Sequence, residues 1–154
     1  GHRPPLAPDI VPQLFVEAYE NAGGTEYFLS IEDPDRTTVL AFLRLRLPDH
    51  AFVPDDAKTA KMLGEIRQVF PELKGAAYIR ELHTYGQALA LRQAHGEAVQ
   101  HRGFGKRLLA EAERIAKTHG HWRMAVISGI GVREYYRMNG YRLKGSYMVK
   151  NLKT

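Results

Sequence analysis

Between Val99 and Lys117 the chain reads VQHRGFGKRLLAEAERIAK, a polar stretch that passes through Gly103 and Gly105 straight into an amphipathic helix. The first N–H groups of a helix lack partners within it, and the helix dipole places partial positive charge there. A glycine-flanked helix start can therefore hold an anion. Three phosphate loops compete for this segment. A P-loop fails twice, because Gln100 stands where its first glycine belongs and Arg107 where its hydroxyl belongs. The dinucleotide fingerprint G-x-G-x-x-G fails at both candidates, with Leu108 and Glu134 at the third glycine position. What remains is Q-x-x-G-x-G: Gln100, His101, Arg102, Gly103, Phe104, Gly105, followed by Lys106 and Arg107. A plain helix-entry turn is the competing reading.

A second group of residues could move protons. Glu81 and His83 are two apart in YIRELHTYG, so on a strand they share a face. Either could act as a general base, and a solvated glutamate or a structural histidine is the alternative.

The elements that position these residues follow from periodicity. Asp9 is placed to cap a short helix, with Pro12 in its first turn and Val11, Leu14, Phe15 and Ala18 on one face, stopped by Gly23-Gly24. EYFLSIE and TVLAFLRLRL form a hairpin across EDPDR, with Val39, Ala41, Leu43, Leu45 and Leu47 on one face and Arg44 and Arg46 on the other. Ala60, Leu63, Ile66 and Phe70 suggest a helix that begins after Asp55-Asp56 and ends at Pro71. AAYIRELHTYG is a third strand, and Gln87 to Arg102 a functional loop. The quoted helix turns Leu108, Leu109, Ala112, Ile115 and Ala116 inward. RMAVIS is a short strand, GIGVREYYRMNG a brief helix, and YRLKGSYMVKNL the final strand. Strands alternating with helices after an opening hairpin imply a mixed α/β sheet with helices on both faces.

The 154 residues suit a single domain, with residues 1–8 read as a linker or tag remnant and 9–154 as the domain. With no cysteine, the chain has no disulfide, thiolate metal site or cysteine nucleophile. No metal site is expected, since the histidines lack metal-like spacing with carboxylates. A net charge of +5 and a pI near 9.5 favour an anionic partner or simply a basic surface. The lack of a long apolar run or a leader predicts a cytoplasmic protein without a membrane span.

The loop QHRGFG, the strand YIRELHTYG before it, the strand MAVISG after its helix and the segment REYYRMNGY together resemble the GNAT family of N-acetyltransferases. RELHTYG, QHRGFG, EAERIA, AVISGIGVREYYRMNGY and YMVKNL resemble more narrowly the acetyltransferase-like C-terminal domain of the Elongator catalytic subunit, which modifies the tRNA wobble uridine. The likeness runs from about Tyr27 onward and is dense from Arg80 to Leu152. It implies a GNAT fold, a mostly antiparallel mixed sheet with acetyl-CoA lying where two strands splay apart. Gln100, Arg102, Gly103, Phe104, Gly105 and Lys106 would then hold the diphosphate. Glu81, Leu82, His83 and Thr84 would line the acetyl end, Leu82 to Thr84 through backbone groups. Tyr136 would face the cleft and protonate the departing thiolate, with Glu81 as a candidate base, while Tyr135 packs in the core.

The same resemblance implies tRNA as partner, with Arg44, Arg46, Arg92, Arg102, Arg133, Arg137, Lys144 and Lys150 as the candidate surface. It also implies a preceding radical S-adenosylmethionine domain with an iron–sulfur cluster, which this cysteine-free chain cannot itself hold. The chain then reads as a domain excised from a longer enzyme, presenting or hydrolysing acetyl-CoA for carboxymethylation of the wobble uridine. A free-standing GNAT enzyme acting on a protein lysine or small amine is the alternative, and a tRNA-docking module with a sensory acyl site a third.

Overall fold

The structure, a computed structural model, describes residues 9–49, 57–58, 61, 75–86, 103–127 and 130–153. Seven strands form one mixed sheet: β1 (Gln13–Asn21), β2 (Gly24–Glu32), β3 (Val39–Pro48), β4 (Ala77–Thr84), β5 (Arg123–Val126), β6 (Arg142–Lys144) and β7 (Tyr147–Asn151). Their spatial order is β1-β2-β3-β4-β5-β7-β6, with β4 and β5 parallel and every other pair antiparallel. Helix α1 (Phe104–Thr118) links β4 to β5, and a short 3-10 turn (Ile130–Val132) leads into helix α2 (Arg133–Met138). Among the described residues, no helix is long and apolar enough to cross a membrane.

The opening helix expected after Asp9 is instead strand β1, paired with β2 along its whole length from Gln13↔Glu32 to Asn21↔Gly24. The residues fit both periods, since Leu14, Val16 and Ala18 alternate as well as they stack. Pairing decides the outcome, because Ala22-Gly23 closes a two-residue hairpin turn that zips β1 onto β2. The Gly23-Gly24 pair expected to stop a helix belongs to that turn. The final strand also differs, being a β6–β7 hairpin turned at Gly145-Ser146. Residues 57, 58 and 61 are helical; the remainder of the helix expected there, and the loop from Gln87 to Arg102, lie outside the described residues.

Helix α1 lies across β2, β3 and β4. All five positions expected on its inner stripe are buried, Leu108, Ala112 and Ala116 at 0% exposure. They close on Leu29, Ile31, Leu43, Leu45, Ala77, Ile79, Met124 and Met148 in one apolar cluster. The opposite face of the sheet carries a smaller cluster of Ala76, Tyr78, Ala125 and Val149, with Tyr147 against it.

Strand β4 contains the irregularity that shapes the site. Arg44 pairs with Glu81 and the next residue, Leu45, pairs with Ile79, so Arg80 is an extra residue on β4. Such a bulge bends the strand and resets which face later side chains occupy. Ile79 and Leu82, three apart, both join the α1 cluster. Glu81 and His83 point to the other face, where Arg44 and Phe42 meet them. Pairing with β5 stops just before the bulge, at Ile79↔Val126, so β4 runs on to Thr84 beside β3 alone among the described residues.

Leu108 is fully buried at the centre of the α1 contact. Leu108→Ala leaves a cavity there and is expected to lower the unfolding free energy by about 2–5 kcal/mol, read from urea denaturation with an unchanged m-value.

Candidate functional site

The fork between β4 and β5 opens into a cavity of about 260 Å³ lined by Leu82, Thr84, Gly103, Phe104, Gly105, Val132, Tyr135 and Tyr136. Strand β4 supplies one wall, the start of α1 the floor and α2 the other wall. The sheet thus brings together six of the residues expected at the site: Leu82, Thr84, Gly103, Phe104, Gly105 and Tyr136. Lys106 sits on the exposed side of the first turn of α1. Gln100 and Arg102 lie outside the described residues.

Glu81 and His83 do not line this cavity. Glu81 is half-exposed, with Oε2 3.6 Å from Arg44 Nε. The His83 ring sits 5.9 Å from Phe42 and edge-on to Tyr85 at 4.5 Å. The bulge at Arg80 explains this placement, since counting by two from Ile79 would have turned both side chains inward.

The start of α1 has features that favour an anion. Gly103 takes the left-handed conformation, φ 61 and ψ 48, which glycine adopts without the penalty a Cβ brings. Arg107 N–H donates to Gly103 C=O at 2.8 Å, the first bond of the helix, and the helix itself offers no acceptor to the amides ahead of it. Among the described residues no side chain caps this end, and the first turn contains no acidic residue. Lys106 and Arg107 add full positive charge to the dipole, itself worth about 0.3–1 kcal/mol toward an anion. Gly105 is required for close approach, because a Cβ there would overlap the Tyr135 hydroxyl.

Sequence reasoning expected one of the paired tyrosines in the core and the other in the cleft, yet both line the cavity. Tyr136 is the buried one at 4% exposure, and Tyr135 is 37% exposed. Their rings meet edge to face at 5.6 Å, and Tyr136 meets Tyr141 in the same way at 5.6 Å. Tyr141 is fixed in turn: its hydroxyl donates to Glu113 Oε2 at 2.9 Å, and Glu113 Oε1 accepts from Lys150 Nζ at 2.9 Å. That chain ties α2, α1 and β7 together around Tyr136. Val132, the cavity position of Tyr135 and the Glu113–Tyr141–Lys150 cluster were not found in the sequence, because the cluster joins residues from separate elements.

The candidate RNA residues separate. Arg46 is tied to Asn21, to the carbonyl of Ala22 and to Glu26. Lys150 is held by Glu113 and the carbonyl of Asn139, and Arg137 by Glu134 at 3.1 Å. Arg133 is half-buried, with an Nε that has no hydrogen-bond partner. Lys144 lies on β6, and Arg44 is exposed on β3. Arg92 and Arg102 lie outside the described residues.

Burial, and then the neighbouring Tyr135, push the Tyr136 phenol up to about 12. Burial raises Tyr135 as well. Tyr141 is pushed far above the ordinary tyrosine range by burial and by the charge of Glu113. Folding therefore retains protons that the unfolded chain releases above about pH 10. Stability is full below that pH and falls as pH rises, by up to about 1.4 kcal/mol per pH unit for each such tyrosine. For Tyr136 the decline spans pH 10 to about 12. Tyr136→Phe and Tyr141→Phe should each flatten it, measured as urea midpoints across this range.

No protein-family model matches the sequence. The chain is 43% identical over 142 residues to "Elongator complex protein 3" of Danio rerio and 43% identical over 142 residues to that of Homo sapiens. It is 45% identical over 143 residues to "tRNA uridine(34) acetyltransferase" of Methanocaldococcus infernus. These matches cover 91% or 92% of the chain but only 23% or 24% of the relatives, so it spans about a quarter of their length. Among solved structures, an N-terminally truncated archaeal Elp3 of Methanocaldococcus infernus superposes with a TM-score of 0.62 at 38% identity, over 92% of this chain and 30% of that one. The splayed mixed sheet is a GNAT fold, and the chain is a homologue of one segment of Elongator complex protein 3.

Proposed function

We propose that this chain is an acetyl-CoA-dependent acyltransferase domain that works within a longer, tRNA-modifying enzyme. The observation that carries this reading is the cavity at the β4–β5 fork, floored by an uncapped, acid-free helix start. The residues present suit acetyl-CoA. The amides at the start of α1, with Lys106, would hold the diphosphate, and Gly103 would let it approach the backbone. Backbone groups of Leu82 to Thr84, beyond the end of β5 pairing, would bond the amides of the pantetheine arm and polarise the thioester carbonyl. Bound acetyl-CoA supplies an activated acyl group on a thiol leaving group.

Tyr136 is assigned as the acid. It lines the cavity and its phenol stays protonated far above neutral pH, so it could deliver a proton to the departing sulfur. Tyr135 is assigned to binding, because its hydroxyl lies over Gly105 at the floor. Glu81, on the opposite face with His83, is the candidate base toward an acceptor approaching from that side. The relative named tRNA uridine(34) acetyltransferase supports tRNA as the acceptor, and a cytoplasmic setting is part of the same proposal. By family resemblance, the radical S-adenosylmethionine domain and its iron–sulfur cluster belong to the remaining three quarters of the parent enzyme.

Acetyl-CoA should raise the melting temperature, since a ligand of the folded state stabilises it by mass action. Desulfo-CoA should retain most of the shift, because the diphosphate is the main anchor. No shift at about 100-fold the expected dissociation constant, where roughly 2.7 kcal/mol is due, would remove this reading.

Substitution of the two phenols separates chemistry from binding. Tyr136→Phe keeps the ring contacts with Tyr135 and Tyr141 and deletes only the donor. It should spare acetyl-CoA binding and cut CoA release at saturation by at least about tenfold. Tyr135→Phe should raise KM for acetyl-CoA with little change in kcat. Turnover is followed as free thiol, with tRNA and the radical domain supplied; full activity of Tyr136→Phe would refute the assignment.

A further inference from the structure

The face of β1–β4 turned away from α1 carries a groove that the chemistry at the fork does not use. It encloses about 450 Å³ and is lined by Tyr19 and Asn21 of β1, Glu26 and Phe28 of β2, Arg44 of β3 and Arg80 of β4. Strand register sets Tyr19, Glu26 and Arg46 in one row and Phe28, Arg44 and Glu81 in the next.

Its charges are unequally committed. Arg46, 19% exposed, is spent on the floor, bonding Asn21, the Ala22 carbonyl and Glu26. Glu26 also accepts from Arg80 Nη1 at 2.8 Å, so two guanidiniums share one carboxylate. Arg80 and Arg44 nevertheless remain 58% and 59% exposed, and the 3.6 Å separation of Arg44 from Glu81 is too long for a hydrogen bond. Arg44 and Arg80 are thus the accessible guanidiniums of the groove, beside the carboxylates of Glu26, Glu81 and Glu17, the last accepting from the Tyr19 hydroxyl at 2.6 Å.

Aromatic rings accompany that charge. Tyr19 is 55% exposed at the β1 wall. From Phe28 a run of rings crosses the sheet: Phe28 stacks on Phe42 at 5.4 Å, Phe42 meets His83 at 5.9 Å, and His83 meets Tyr85 at 4.5 Å. Tyr85 ends the run 41% exposed.

We propose that this groove and the ring run beyond it bind a single-stranded segment of RNA, with bases on Tyr19, Phe28 and Tyr85 and phosphates on Arg44 and Arg80. A duplex hides its base faces and would be held through phosphates alone. A run of rings with exposed Tyr19 and Tyr85 at its ends, flanked by arginines on a sheet surface, is suited to unpaired, splayed bases. The inference rests on the tRNA reading above and adds the surface and the form of RNA that it takes.

The test is fluorescence anisotropy of the full chain with a labelled RNA of about 12 nucleotides, single-stranded or annealed to its complement, from about 50 mM salt upward. The single strand should bind more tightly than the duplex. Arg44→Ala with Arg80→Ala should weaken it by about tenfold or more and reduce the log–log salt slope by about 1.4, since roughly 0.7 is due per phosphate. Tyr19→Leu with Tyr85→Leu should weaken the single strand by about tenfold while leaving the slope and the duplex affinity unchanged. Retention of the acetyl-CoA melting shift reports that each variant is folded. Should one fail to fold, photo-crosslinking of wild type to 4-thiouridine RNA should mark peptides containing Tyr19, Phe28 or Tyr85. The proposal is overturned if ring variants bind like wild type, if crosslinks fall elsewhere, or if wild type binds no RNA at low salt. Protection of the groove by an acidic peptide or the rest of a longer parent chain, without competition by RNA, also overturns it. RNA failure with an intact acetyl-CoA shift refutes this surface alone, whereas loss of that shift with intact RNA binding refutes only the acyltransferase reading.

Discussion

The rest of the architecture depends on one extra residue in a strand. Arg80 and Glu81 together oppose Arg44, and the bend this puts into β4 coincides with the end of its pairing to β5 at Ile79 and Val126. A straight β4 would continue the parallel ladder and fill the fork with strand-to-strand hydrogen bonds. With the bulge, its outer half keeps β3 as its neighbour among the described residues, with Leu82 and Thr84 lining the cavity. In the proposed function, an extended ligand would complete the ladder there.

The bulge also sorts the side chains of β4 into two environments. Leu82 and Thr84 face the cavity with α1 and α2, whereas Glu81 and His83 join Arg44 and Phe42 on the other face. Groups able to move protons thus stand on both sides of the sheet, phenols on one and a carboxylate with an imidazole on the other. The phenol side is the more rigid. Tyr136 is wedged between two rings, and Tyr141 is anchored through Glu113 and Lys150 to α1 and β7. A hydroxyl held in this way loses little rotational freedom when it is asked to donate.

Much of this was legible in the sequence. The stripe from Leu108 to Ala116 was readable because helical burial repeats every 3.6 residues and nothing in that segment fits a period of two. The helix start at Gly103 was readable from glycine spacing, and so was the β2–β3 hairpin, whose alternating leucines and arginines fit only a half-buried strand. The errors have local causes. In β1 the apolar residues satisfied both periods, and the pairing partner that decides between them lies across the hairpin turn at Ala22-Gly23. The faces of Glu81 and His83 were unreadable because a bulge leaves no compositional mark, Arg80 being an ordinary strand residue by type. The burial order of the two tyrosines depends on Tyr141 and Glu113, which come from separate elements brought together only by folding.

The contact between Tyr135 and Gly105 has a consequence for how such a site can change over time. The phenol occupies the volume that any side chain at position 105 would need, although the two residues lie on different helices. Position 105 can thus gain a side chain only if the ring at position 135 shrinks or swings aside, and a smaller residue at 135 leaves a void over the helix start. Substitutions at the two positions are therefore expected to be coupled, with the order of change setting whether the ring at 135 must move.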